Sequence, residues 1–204
     1  MGKFAVIVGV GYCDGRSTDC VAAVRIPGFV RATRNDVFDI VQREHIARAE
    51  RGISRVDELW CDGAPKDTLD ALREAYAGLP VAQISLVQEN TIFERGVDRS
   101  ILVKRLSLLQ RKAGLSRMEF CAYWRDVHAP MASCHRHVAR YVQNYVVDGS
   151  GALFDGIAEF RITDIDGIRA DYESEAARAM KADVPNFAAT VSTYVVRARD
   201  LCCA

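Results

Sequence analysis

The 204-residue chain has no G-x-S-x-G elbow, no P-loop lysine and no H-E-x-x-H pair, so the common hydrolase, nucleotide and zinc-protease chemistries lack support. It has no excess charge of either sign. Twenty-seven basic residues balance twenty-seven acidic ones, which leaves no long-range field to favour nucleic acid or an anionic membrane. No apolar run approaches the ~20 residues that span a bilayer, and Met1–Val10 reads as a first strand rather than a cleavable signal. The expectation is a soluble, cytoplasmic protein. Its seven cysteines form no C-x-x-C pair, which excludes a zinc ribbon and argues against a disulfide framework. Most read as small buried hydrophobes, and the vicinal Cys202-Cys203 as an exposed oxidation liability. Gly9, Gly11 and Gly15 follow an apolar strand, but their spacing is not that of a dinucleotide loop, and Pro27-Gly28 interrupts the helix such a loop requires.

What is present centres on Met118–Ala132. Phe120, Trp124 and His128 recur every four residues with Tyr123 and Val127 between them, so all five are expected on one helical face turned toward a core. Ser116-Arg-Met-Glu119 reads as a capping box that starts this helix, and Pro130 as the residue that limits it. A partly desolvated histidine at the inner end of a helix suits proton transfer; a satisfied structural imidazole is the competing reading.

Around this helix the second half reads as βαββαβ. The strands are Leu102–Leu109, Val138–Val147, Phe154–Thr163 and Thr190–Arg199, with a second helix from Asp166 to Lys181. Tyr141, Gln143 and Tyr145 fall on one face of their strand, Val142 and Val146 on the other. The first half repeats parts of the outline, with strands Phe4–Val10, Arg55–Cys61 and Val81–Gln88 and helices Asp36–Glu50 and Thr68–Tyr76. Phe38, Val41 and His45 loosely echo Phe120, Trp124 and His128, while residues 12–34 read as an inserted loop. The expected organisation is α+β: a degenerate ferredoxin-like half at 1–94 and a second ferredoxin-like half at 100–204. The two are packed as an intrachain α/β barrel whose interior holds a ligand.

The string Phe120-Cys-Ala-Tyr-Trp-Arg-Asp-Val-His-Ala-Pro130, followed by Tyr141, Asp155-Gly-Ile-Ala-Glu159, Asp183 and Phe187, resembles an EthD-type domain of the dimeric α/β-barrel superfamily. The resemblance covers roughly residues 100–200 and implies a fused, two-domain member. It implies cofactor-independent chemistry, with no metal, on small aromatic-derived, lactone or polyketide-like molecules: isomerisation, dehydration, cyclisation or decarboxylation. Carried to this chain, His128 is the general acid or base and Tyr141 stabilises a developing oxyanion, both in the barrel cavity. The alternatives are a non-catalytic binding protein of an oxygenase pathway and a haem- or oxygen-using monooxygenase. A further homodimer stays open.

Other residues are weighed against plainer roles. Trp124 is a core or cavity wall, Arg125 either meets a substrate carboxylate or pairs on the helix surface, and His45 is a cavity candidate. Gln143, Asn144, Tyr145 and Glu159 are substrate-binding candidates, Glu159 as a second proton carrier if it faces a dry cavity. His135 and His137 lie in a turn and read as solvated, and no ordered carboxylate completes a metal set with His128.

Overall fold

In a computed structural model, which describes residues 1–9, 26–41, 52–96, 103–147 and 152–201, eight antiparallel strands close on themselves. They are β1 (Gly2–Gly9), β2 (Phe29–Val41), β3 (Ile53–Cys61), β4 (Val81–Glu94), β5 (Val103–Arg111), β6 (Val138–Val146), β7 (Gly156–Ile162) and β8 (Ala188–Leu201). Around the barrel they run β1-β3-β2-β8-β5-β7-β6-β4. In each half the fourth strand lies beside the first, the first beside the third and the third beside the second. The seams are β2 against β8 and β4 against β6.

An eight-stranded barrel has a lumen that side chains just fill, and here they do. Ala5, Ile7, Val87, Leu106, Leu108, Val146, Ile157, Tyr194 and Val196 pack together inside. Beside this apolar plug sits a buried charge lattice. Lys3 lies 2.6 Å from Glu58 and 3.7 Å from Glu159, and Lys104 lies 2.8 Å from Glu58 and 2.9 Å from Glu159. β1 does not neighbour β7, nor β3 β5, so these pairs meet across the lumen. The lattice is two-fold in pattern. Lys3 and Lys104 sit on the first strands of the two halves, Glu58 and Glu159 on the third. Asn35 donates to the Val56 carbonyl as Asn144 donates to that of Ile157. Burial pushes Glu58 toward protonation, but Lys104 and Lys3 hold its carboxyl well below the usual range.

Helices cover the outside. α1 (Pro65–Ala75) starts with proline in its first turn, where a missing amide costs nothing, and lays Leu69 and Leu72 on Phe4, Val6 and Leu59. α2 (Arg117–Tyr123) opens with the capping box the sequence predicts. Ser116 Oγ accepts from the Glu119 amide, and Glu119 accepts from the Ser116 amide. Pro130 does not end the helical path. A π-helical segment (Trp124–His128), closed by the Ala129 amide donating to Trp124 O, carries the chain into α3 (Ala129–Met131), which admits proline in its own first turn. The expected helix 166–181 is two helices, α4 (Ile165–Tyr172) and α5 (Glu175–Asp183). Ser174 caps the second by accepting from the Ala177 amide.

Two first-half expectations fail. The described part of Asp36–Glu50, residues 36–41, is the end of β2 rather than helix, and residues 29–34 are strand rather than loop. The echo through Phe38 fails with them. Val127 also departs, standing 48% exposed while Phe120, Trp124 and His128 are buried. His45, residues 12–25 of the expected inserted loop and Cys202-Cys203 lie outside the described residues.

Candidate active site

The outer face of the β5–β7 sheet and the helices α2–α5 do not close completely on each other. Between them lies a cavity of about 280 Å³, at the small end of the range for small-molecule sites. Its wall includes His128, Tyr141, Trp124, His135, Arg105 and Phe160. This corrects the expected location: the hollow lined by His128 and Tyr141 lies outside the barrel, on the strand face opposite the apolar plug of the lumen.

The π-helical segment delivers His128 to this cavity 4% exposed. Its Nδ1 lies 2.8 Å from Asp183 Oδ2 at the end of α5. Asp183 Oδ1 accepts from Tyr123 at 2.7 Å and from Asn186 at 2.9 Å. Burial raises the Asp183 carboxyl, but the hydrogen bonds from Tyr123, Asn186 and His128 outweigh it and hold the group below the usual carboxylate range. An ionised Asp183 accepts, so Nδ1 carries the proton, and Nε2 is the nitrogen suited to take one. Phe187 packs against the imidazole with centroids 4.7 Å apart.

Tyr141 reaches the same cavity from β6 and is 1% exposed. Its oxygen accepts from Trp124 Nε1 and from Gln143 Nε2, each at 3.0 Å. Burial drives its pKa up and outweighs these two donors, which pull it down, so the phenol is neutral with its own O–H left to donate. Gln143 is held in turn: its Nε2 donates to Trp124 O at 3.0 Å, and its Oε1 accepts from Tyr145, which accepts from Asn90 at 3.2 Å. Trp124 demands glycine at 156, where a Cβ would lie 2.4 Å from Cζ3. That is a physical reason for the Asp155-Gly-Ile-Ala-Glu159 string.

The remaining candidates separate. Gln143 and Tyr145 stand behind Tyr141 as its support. Asn144 and Glu159 point into the lumen, on the opposite face of their strands. Glu159 there is an ion-pair partner of Lys104 and not a carboxylate at the cavity. Arg125 lies on the surface with both guanidinium contacts to Asp126 at 2.7 Å. His135, expected in a solvated turn, is 1% exposed and lines the cavity. His137 instead contacts Asp171 at 3.1 Å. Among the described residues no group of three His, Cys, Asp or Glu side chains could hold a metal ion.

Sequence reasoning missed Arg105. It is 4% exposed on β5, its guanidinium 4.1 Å from the Phe160 ring centroid and 5.1 Å from that of Tyr172. Its strand reads Val-Lys-Arg-Leu-Ser-Leu, and two consecutive basic residues suggest an exposed edge; in fact Lys104 enters the lumen and Arg105 the cavity.

Residues 112–190 match the family model of the EthD domain. No curated protein matches the chain. Among solved structures, an anthrone oxidase-like protein superposes with a TM-score of 0.62 at 12% identity, covering 98% of this chain and 93% of that one. A candidate monooxygenase from Fusobacterium nucleatum gives 0.58 at 8% identity, covering 98% and 93%. A dye-decolorizing peroxidase from Bacteroides thetaiotaomicron gives 0.56 at 8%, covering 97% and 93%. At such identities the likeness is one of fold alone, an α+β barrel similar to those of the dimeric α/β-barrel proteins. Among the described residues no helix is long and apolar enough to cross a membrane.

Proposed function

From the EthD domain at residues 112–190, we propose that the chain is a cofactor-independent lyase or isomerase that moves protons on a small oxygenated organic molecule, aromatic-derived, lactone or polyketide-like. The observation that carries this is the convergence of a carboxylate-oriented imidazole and a donor-primed phenol on one buried cavity.

His128 Nε2 removes a proton from a carbon adjacent to a carbonyl, and Asp183 stabilises the imidazolium that forms. The Tyr141 O–H points its dipole at the carbonyl oxygen as negative charge develops there, with Trp124 and Gln143 sharing the charge through the phenol oxygen. Return of the proton to a different carbon isomerises the substrate. Expulsion of a β-hydroxyl, protonated as it leaves, dehydrates it instead. Trp124, with Gln143 and Tyr145 behind it, fixes the phenol. The scaffold that makes this cavity is read as two ferredoxin-like halves, 1–94 and 100–204, on the matching strand orders of the two halves.

The test is deuterium incorporation from D2O into a panel of one- and two-ring aromatic ketones and lactones, followed by mass spectrometry. The native protein exchanges the acidic carbon position of a substrate, and His128→Ala, still folded, does not. Equal exchange by the two proteins removes His128 from the mechanism; retention of a ligand without any exchange favours a carrier protein.

A further inference from the structure

We infer that the ligand of this cavity is an anion, a one- or two-ring aromatic carboxylate or phenolate, and that Arg105 is the residue that selects it. The inference rests on the site proposed above and names its substrate class.

Three observations carry it. First, the charge lining the cavity is lopsided: Arg105, Arg169 and Lys181 are cationic, Glu173 is the one carboxylate among the described lining residues, and Arg169 shares its charge with exposed Asp166 at 3.2 Å. Second, these cations are graded in depth. Arg169 and Lys181 are exposed, on α4 and α5, whereas Arg105 is buried among aromatic rings. An anion meets a solvated positive rim, then a desolvated guanidinium, an arrangement that steers and then holds. Third, Arg105 is fixed in plane. Phe160 and Tyr172 both lie against its guanidinium, at 4.1 and 5.1 Å, so little rotamer freedom remains to be lost when a planar anion binds. A planar carboxylate suits a guanidinium fork in a way that a neutral amide, which presents one acceptor oxygen, does not.

The position also fits the chemistry. A carboxylate or phenolate seated on Arg105 places the aromatic ring against Phe160 and Leu109, within the same hollow that holds His128 and Tyr141. Arg105 also acts electrostatically on the Tyr141 phenol, so substrate charge held at Arg105 lies within reach of the proposed proton chemistry.

Binding of 2-naphthoate and of its neutral isostere 2-naphthamide to the full chain, by isothermal titration calorimetry, tests this without reference to turnover. The native protein should prefer naphthoate at least about tenfold, the least expected of one charge-assisted contact. Arg105→Met should erase the preference while leaving naphthamide binding in place, and Arg105→Lys, which keeps the charge but not the fork, should retain part of it. If Arg105→Met does not fold, the lysine variant and the salt dependence of the Arg169→Gln/Lys181→Gln protein decide. Equal affinity of the native protein for both probes, binding of neither, or an undiminished preference in the arginine variants overturns the proposal. Binding and exchange are separate readouts. A charge preference without deuterium exchange therefore defeats the proton-transfer reading alone, and exchange of neutral ketones without a charge preference defeats this one alone.

Discussion

The two halves of the barrel share their lumen and differ on the described parts of their outer faces. The residue before each lumen glutamate is Asp57 in the first half and Ala158 in the second; across the ladder Asp57 pairs with Arg34, and Ala158 with Gln143. Likewise the residue after each lumen lysine is Phe4 in one half and Arg105 in the other. In the first half, among the described residues, Arg34 binds Asp57 through two contacts, Tyr76 donates to the same carboxylate at 2.8 Å, and Phe4 packs under α1. In the second half Ala158 is too small to fill the space under the helices, and Gln143 spends its amide on Tyr141. The comparison teaches that the matching lumen residues serve barrel closure, while the outer positions beside them differ in size and charge.

Breaking each outer face in turn gives the largest effects. Tyr141→Phe should lower proton exchange by about 10²–10³-fold while the urea midpoint moves little. Arg34→Met, one residue before the asparagine that matches Asn144, should do the reverse. It removes the two-contact guanidinium from buried Asp57, leaving Arg55 at 3.3 Å and Tyr76 at 2.8 Å, and should cost about 1.5–3 kcal/mol in denaturant unfolding, with exchange per folded molecule unchanged. A loss of exchange in Arg34→Met as large as that in Tyr141→Phe would mean the halves do not divide the work.

The shared lumen should respond alike from either side. Lys3→Met and Lys104→Met each leave glutamates uncompensated and should each cost about 3–5 kcal/mol, whereas charge-free replacement of the whole lattice should cost far less. Acid should reveal the same lattice. Glu58 has its folded pKa depressed, so its stabilising contribution is full above the ordinary glutamate range and disappears as pH falls through the folded value. Lys104→Met should flatten that acid limb in a pH series of unfolding free energies. Smallest of all, Arg125→Ala breaks an exposed pair and should change stability by less than about 1 kcal/mol and exchange not at all.

Much of the second half was legible because its signals are local. The capping box, the four-residue spacing of Phe120, Trp124 and His128, and the alternation of Tyr141, Gln143 and Tyr145 each depend on neighbours in sequence. β2 was hidden because both of its faces are polar: Asn35 faces the lumen lattice and Arg34 the Asp57 cluster, which erases the apolar alternation of an ordinary strand. Only the pattern of Phe38, Val41 and His45 remained, and it suggested a helix. The cavity's side of the sheet was misplaced for a related reason. Periodicity assigns Tyr141 and Asn144 to opposite faces without saying which face is lumen, and the filling of the lumen is decided by side chains from both halves. Arg105 and Asp183 join the site through tertiary contacts that no spacing encodes.

The charge square inside the barrel has one more implication. Apart from Glu89, which also pairs with Lys3 at 2.9 Å, each half brings one lysine and one glutamate, so two copies of the second half alone could build a similar square from a pair of Lys104 and a pair of Glu159 side chains. Its complementarity is blind to whether the partner strands belong to one polypeptide or two. At high concentration, or when the linker between the halves is shortened, exchange of halves between molecules is the failure mode this feature invites, and refolding from dilute solution is the condition that should suppress it.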